Sequence, residues 1–341
     1  MSAKPLTVAV VGATGAVGSE FLRLFEQRAF PVGELRLLAS ARSVGKTLPY
    51  KGQPVPVQEL TEGSFDGVDL AFFSAGAARA REFVPIALRG GTAVFDNSSA
   101  FRMDEGVPLV VPEINGALIN PEHKLYPVAN CTAIVLCMAV APLRALGTME
   151  RVIVSTYQSA SGGGAMMMQR LLDETRASLS GTPPTGDFPY GFNLFSHNTP
   201  INEHGSNEEE WKVMQESRKI LGLPALKLNV TCIRVPVLRA HSESITVEFA
   251  GPAPSVEDTR AALAHFPGIR VVDDRAGNHF PTPLEASGHD EVLVGRIRQD
   301  ASNPSALCLF ATGDQLLKGA ALNAVQIAER YLVTSREVRR G

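Results

Sequence analysis

The sequence is short of several things, and each shortage excludes something. Its 341 residues include four cysteines, Cys131, Cys137, Cys232 and Cys308, and no two of them form a CxxC pair. That spacing fits neither a zinc ribbon nor a redox dithiol, so no metal is expected and the thiols should be free. Neither sign of charge predominates: the formal net charge is -3, and the basic surface that nucleic acid requires is missing. The longest apolar stretch, residues 133–143, falls well short of the ~20 residues a membrane-spanning helix needs. The apolar run at 6–11 is too short for a signal peptide, and no small-residue cleavage site follows it. Repeats, low-complexity tracts and charge runs are absent. These absences predict a cytoplasmic protein with no nucleic-acid or membrane partner.

What is present is ordinary for a globular enzyme, with 45% hydrophobic and 20% charged residues. The length suggests two domains. In the first half, strand-like segments at 7–11, 34–39, 68–73 and 92–96 alternate with helical patterns at 17–27 and 77–88. Further short strands are expected at 107–111 and 125–128. Continuous apolar strands with helices between them indicate a parallel sheet covered on both faces. After Cys131 the texture changes. Helices are expected at 132–146, 165–179, 208–221 and 256–265. Strands are expected at 151–157, 227–234, 242–250, 292–299 and 307–311. They do not alternate strictly, which indicates an α+β domain. Residues 181–199, with Pro183, Pro184, Pro189 and Asn198, read as a long loop of the kind used for function or an interface. A final apolar helix at 316–333 is expected to return to the first domain.

The strand at 7–11 runs directly into Gly12-Ala13-Thr14-Gly15-Ala16-Val17-Gly18 and then a helix. Such a turn lets a pyrophosphate approach backbone N–H groups at the positive end of a helix dipole. The spacing is GxxGxxG rather than GxGxxG, but strand, turn and helix agree on a dinucleotide site. Gly12, Thr14, Gly15, Ala16, Val17 and Gly18 are the candidate contacts. About 20 residues on, where a carboxylate would hold an NAD ribose, the chain reads Ser40-Ala41-Arg42-Ser43. Two hydroxyls and a guanidinium suit a 2′-phosphate, which points to NADP.

Asn130-Cys131-Thr132 lies between a strand and an apolar helix. A thiol at a helix N-terminus has its thiolate stabilised by the dipole, the setting of a nucleophile. A small buried cysteine remains the alternative. A nucleophilic cysteine beside a nicotinamide implies thioester chemistry at the aldehyde/acid level, which needs a proton-handling group nearby. His241, between two strands, is one of seven histidines available for it.

Together these residues resemble the aspartate-semialdehyde dehydrogenase family. The motifs are GATGAVG (12–18), FSAG (73–76), DNSSAFRM (96–103), VVPEIN (110–115), NCT (130–132), QSASG (158–162), RVPVLRAHSE (234–243) and KGAALNAVQIAE (318–329). They run in order through nearly the whole chain. The resemblance implies a Rossmann-type α/β dinucleotide-binding domain, residues 1–129 plus 315–341. It also implies an α+β catalytic and dimerisation domain, residues 130–314. Cys131 would be the nucleophile, His241 the acid/base and Gln158 the amide that positions the acyl group. Arg234 would grip the substrate carboxylate and Glu209 the substrate amine, with Asn130 beside them. Arg102 and Lys212 would meet phosphate. Ser74, Ala75, Gly76, Ser161, Gly162 and Gln315 would join the NADP site.

The reaction so implied is reduction of L-aspartyl-β-phosphate by NADPH to the semialdehyde and phosphate. It serves lysine, threonine, methionine and isoleucine biosynthesis, in a homodimer or homotetramer. Two positions depart from the family pattern: Ala129 stands where proline often precedes Asn-Cys, and Gln315 where asparagine is common. Alternatives are an N-acetyl-glutamyl-phosphate reductase, which shares the Cys/His plan, and a catalytically silent NADP-binding relative. Residue-level alternatives also stand. Ser206 and Glu209 have the spacing of a capping box. Lys212 suits a solvated helix face, Arg102 a surface ion pair, Gln158 a turn, and Met166–Met168 helix core or a subunit contact.

Overall fold

The computed structural model describes residues 5–182, 186, 188–197 and 199–338. The chain divides into two compact units, Met1–Ala129 with Ala320–Gly341, and Asn130–Gly319. The first is built on β1 (Leu6–Val11), β2 (Val32–Ala39), β3 (Thr47–Tyr50), β4 (Gln53–Glu59), β5 (Leu70–Phe73), β6 (Ala93–Asp96) and β7 (Leu125–Pro127). Their order is β3-β4-β2-β1-β5-β6-β7, and every pairing except β3 with β4 is parallel. Helices α1 (Ala16–Gln27) and α2 (Ala77–Arg89) supply the crossovers. The scarce aromatics concentrate here. Phe21 and Phe72 lie 5.0 Å apart between ring centroids, Phe72 and Phe95 5.1 Å, and Phe95 and Tyr126 5.9 Å.

The sequence does not announce the β3–β4 hairpin, because Pro49, Pro54 and Pro56 read as strand breakers. It forms as an edge hairpin, turned by Lys51 and Gly52 at φ 50° and 74°. Residues 107–111, expected as a strand, are not one, since asparagine side chains satisfy their backbone instead. Asn115 donates to Leu109 O at 2.9 Å and accepts from Val111 N–H at 2.8 Å, and Asn323 donates to Val110 O at 2.9 Å. Asn115 closes the short α3 (Pro112–Asn115).

The second unit opens with α4 (Cys131–Val140), which tightens at Ala141–Ala145, where Pro142 lacks the N–H to continue it. The expected helix at 132–146 is thus two pieces. Its sheet holds β8 (Met149–Gln158), β9 (Phe195–Ser196), β10 (Lys227–Arg234), β11 (His241–Phe249), β12 (Ile269–Val271), β13 (Val292–Gln299) and β14 (Ala306–Gly313). Their order is β12-β13-β14-β11-β8-β10-β9, with parallel and antiparallel pairs mixed. Helices α5 (Ala165–Leu179), α6 (Glu208–Leu221), α7 (Val256–His265) and α8 (Pro283–Ala286) complete it. Within the supposed loop at 181–199, Phe195–Ser196 is a strand, while Pro183, Pro184 and Asn198 lie outside the described residues. On α5, Met166 is exposed, whereas Met167 and Met168 pack on a cluster around Tyr190.

Residues 315–319, expected in the first unit, group with the second. Leu317 and Gly319 N–H groups bond to Asp314 O at 3.1 and 3.2 Å, and Gln315 accepts from Ala240 N–H at 2.9 Å. The last helix, α9 (Leu322–Val338), returns to the first unit. Glu329 there holds Arg28 with two bonds of 2.9 and 2.7 Å. Among the described residues no helix is long and apolar enough to cross a membrane.

Candidate active site

In the first unit the glycine turn behaves as its spacing demands. Gly12 has φ 82°, and a Cβ there would sit 2.3 Å from Ser74 O. A Cβ on Gly18 would lie 2.4 Å from Gly12 O, so only glycine lets α1 pack this close to the turn. No side chain caps α1 at Gly15, which leaves its leading N–H groups for a ligand. Gly76, φ 83°, stands at the head of α2 in the same way, also without a side-chain cap. The turn opens on a cleft of about 680 Å³ lined by Gly12, Thr14, Gly15, Ser40, Arg42 and Ser74. Ala75 and Arg79 line it as well. Thr14 and Ser43 hydroxyls meet at 3.5 Å, tying the turn to the segment after β2. Glycine, an uncapped helix end and the Arg42 guanidinium are features a dinucleotide phosphate group needs, so these residues fit one. Arg79, a lining residue the sequence did not single out, is paired with Glu82, another lining residue, at 2.8 Å.

Arg102 also belongs to the first unit. It is buried, donates to Asn97 O at 2.8 Å, and its charge bears on buried Asp96.

In the second unit the site grows from Asn130. Its side-chain oxygen accepts from Thr132 and Ala133 N–H at 2.9 and 3.2 Å, capping α4. Its own N–H bonds to buried Glu216, and its side-chain nitrogen donates to Glu209 at 2.9 Å. Cys131 is thus the first residue of a helix whose preceding residue is held from three sides. Glu209 and Glu216 are seven apart on α6 and share a face. That periodicity was the available signal for Glu216, which the sequence reading passed over. Glu209 does not cap α6. Asn207 does, accepting from Glu210 N–H at 2.9 Å, while Glu210 accepts from Asn207 N–H at 3.0 Å. Glu209 is therefore available to Asn130 and to Gln158 Nε2, 3.3 Å away. Lys212 pairs with Glu208 one turn back.

Strand register assembles the rest. Arg234 on β10 stands opposite Gln158 on β8, and Ser242 on β11 opposite Tyr157, which brings His241 beside Gln158. Gln158 is the buried end of a strand rather than a turn residue, and its Nε2 donates to Thr132 Oγ1 at 2.8 Å. His241 is buried, and its Nδ1 accepts from Ser159 N–H at 3.0 Å. A backbone N–H can only donate, so the neutral ring carries its proton on Nε2. Burial, with Arg234 and His197 nearby, holds the imidazole well below the usual histidine pKa, so the ring is neutral near pH 7.

Two glycines keep this face open. A Cβ on Gly162 would lie 2.9 Å from His241 Nε2 and 3.0 Å from Arg234 Nη1, and one on Gly319 would lie 2.8 Å from Cys131 Cβ. Ser161 receives a hydrogen bond from Gln315 Nε2, so that amide is engaged within the second unit. Burial pushes the thiols of Cys137 and Cys232 up, which leaves them inert beside Cys131. Glu243, one row below His241, is fully buried with neither oxygen hydrogen-bonded, and burial pushes its carboxyl well above the usual range. Among the described residues no cluster of three or more His, Cys, Asp or Glu could hold a metal.

Comparison with known proteins agrees with this division. Residues 7–121 match the model of the semialdehyde dehydrogenase NAD-binding domain, and residues 140–318 that of the semialdehyde dehydrogenase dimerisation domain. An aspartate-semialdehyde dehydrogenase of Synechocystis is 48% identical over 95% of this chain and 97% of its own. The crystal structure of aspartate semialdehyde dehydrogenase II from Vibrio cholerae, complexed with ASA, is 38% identical. It covers 97% of this chain and 99% of that one, with a TM-score of 0.91. An aspartate semialdehyde dehydrogenase with NADP from Candida albicans is 25% identical, covering 97% and 99%, with a TM-score of 0.74. Identity of this extent over nearly the whole chain, on a fold with a glycine-turn cleft and a helix-head cysteine, makes this protein a member of the aspartate-semialdehyde dehydrogenase family.

Proposed function

We propose that this enzyme converts L-aspartyl-β-phosphate to aspartate semialdehyde and phosphate with NADPH, a step of amino-acid biosynthesis. The observation that carries the mechanism is the helix-head Cys131, held through Asn130 and followed by Thr132, to which Gln158 is bonded. Cys131 enters as the thiolate that the head of its helix favours. It attacks the β-carbonyl carbon, a C–S bond forms, the bond from carbon to the phosphate oxygen breaks, and a thioester remains. Lys212 offers a cation to the departing phosphate, and the same duty is proposed for Arg102. Arg234 holds the substrate carboxylate and Glu209 its amine, with Gln158 positioning the acyl group.

His241 takes a narrower part than a general base. With Nδ1 occupied by Ser159, the neutral ring has no free lone pair for the thiol proton. Its Nε2–H instead donates to the oxygen that turns negative at the carbonyl. The Thr132 and Ala133 N–H groups at the head of the helix are spent on the Asn130 cap. Bound NADPH supplies the hydride that takes the thioester to the aldehyde level. For that cofactor we propose the turn at Gly12, Thr14, Gly15, Ala16, Val17 and Gly18 for the pyrophosphate, Ser40, Arg42 and Ser43 for the 2′-phosphate, and Ser74, Ala75 and Gly76 beside them. Ser161, Gly162 and Gln315 are proposed for the nicotinamide end. A cytoplasmic homodimer or homotetramer completes the reading, and the dimerisation-domain match supports its association of subunits.

The test is NADPH formation from aspartate semialdehyde, phosphate and NADP. Phosphate-dependent activity is expected. A folded, NADP-binding protein that reduces NADP only with N-acetyl-glutamate semialdehyde, or with neither aldehyde, overturns the proposal.

A further inference from the structure

Arg234 is buried with its guanidinium fixed at two points. Nη1 donates to Ser159 O at 2.8 Å, and Nη2 reaches Nε2 of His197 at 2.8 Å. An arginine has no acceptor, so His197 Nε2 accepts, and its ring proton sits on Nδ1. We propose that His197 is a positioning residue for Arg234. Its neutral imidazole aims the guanidinium so that the remaining N–H groups meet the substrate carboxylate. This rests on the carboxylate-gripping role proposed for Arg234.

Several observations converge on it. Strand β9 ends at Ser196 and pairs antiparallel with β10, Phe195 opposite Arg234 and Ser196 opposite Ile233. His197 continues that register, its N–H bonded to Cys232 O at 3.0 Å, so its ring shares the sheet face of Arg234. The pairing spans 37 residues of sequence, and nothing in the local pattern around His197 announces it.

The groups facing His197 fix its charge. Glu208, Glu209 and Lys212 face it from α6 and Arg234 from β10, and it in turn bears on His241 of β11. Cys232 across the strand pair and Tyr190, whose pKa burial raises to about 12, stay protonated and add no charge. Burial, Arg234 and Lys212 outweigh the two glutamates, and the imidazole stays below its usual 6.5. Protonation would turn its Nε2 into a donor facing a donor. The bond to Arg234 is then lost and the carboxylate grip loosens as pH falls.

Three variants are compared with wild type on the phosphate-dependent reaction, varying aspartate semialdehyde from about pH 8 down to about pH 5. His197→Ala is expected to raise KM about tenfold at the higher pH with kcat within about twofold, the loss of one hydrogen bond to a charged group. His197→Gln keeps an acceptor near the position of Nε2 but cannot titrate. It is expected to hold KM near wild type and to abolish the rise of KM toward low pH. With propionaldehyde, which has no carboxylate for Arg234, wild type and His197→Ala should have equal kcat/KM. His197→Asn, whose oxygen cannot reach that far, should behave as alanine does. If His197→Ala does not fold, by its melting curve and NADP binding, the pH profile of His197→Gln decides alone. An unchanged KM in His197→Ala, or a wild-type rise of KM at low pH in His197→Gln, overturns the proposal. Wild type inactive on aspartate semialdehyde would instead sink the reading on which it rests.

Discussion

The cleft of the first unit and the cluster of the second are made of different material. The cleft is shaped by backbone, with glycines at 12 and 18 that admit no Cβ and a helix end left uncapped, and Arg42 adds a charge at its edge. The cluster is made of side chains on four elements, α4, α6, β8 and β10, with His241 at the start of β11. One binds by shape and partial charge and the other acts by named reactive groups. A change in the cleft therefore works through sterics and affinity, and a change in the cluster through chemistry.

The sharpest way to break that contrast is Cys131→Ala. Turnover should fall by more than about 10⁴-fold while NADP affinity stays within about twofold, measured by steady-state rates and NADPH fluorescence titration. A parallel loss of affinity would mean that the two regions are not separable. Gly12→Ala is the converse. A Cβ pressed against Ser74 O at φ 82° should weaken NADP binding about 10²-fold, while alkylation of Cys131 by iodoacetamide in the absence of cofactor keeps its rate.

Arg42→Ala sharpens the contrast inside the cleft. Loss of a charge-assisted bond to the 2′-phosphate should weaken NADP about tenfold and leave NAD binding unchanged in the same titration. Glu243 is expected to act on stability rather than on binding or turnover. Its carboxyl, raised by burial, stays protonated in the folded protein while the unfolded chain ionises above the usual 4.5. Stability from this group is full below that value and falls as pH rises toward the folded one, by up to ~1.4 kcal/mol per pH unit. Glu243→Gln should flatten that fall in urea titrations at about pH 5 and about pH 7.

The same contrast explains what was legible. A strand, a glycine turn and a helix are contiguous, so the cleft could be read from residues 7–27. Cys131 was legible because a helix head is also local. The partners that make it a site were not. Asn130 meets Glu209 across 79 residues through the packing of α4 on α6, and Ser159 meets His241 across 82 through sheet register, neither of which any window of sequence contains. Gln158 and Arg234 entered by family resemblance, and His241 as one of seven histidines until that resemblance gave it a role. Glu216 and Ser159 were passed over because each acts through a neighbour: Glu216 fixes the residue before the thiol, and Ser159 sets the tautomer of the imidazole. The hairpin at Thr47–Tyr50 and Gln53–Glu59 was hidden by its own prolines, and residues 107–111 by asparagines that stand in for a neighbouring strand.

The central claim is a covalent intermediate on Cys131, and single-turnover mixing tests it most directly. Enzyme, NADP and aspartate semialdehyde are combined without phosphate, and NADPH is followed while the Cys131 peptide is weighed by mass spectrometry. The account predicts a burst of one NADPH per subunit, an aspartyl group on Cys131, and steady turnover only once phosphate is added. Steady NADPH formation without phosphate and with an unmodified Cys131, or a full burst in Cys131→Ala, would contradict it.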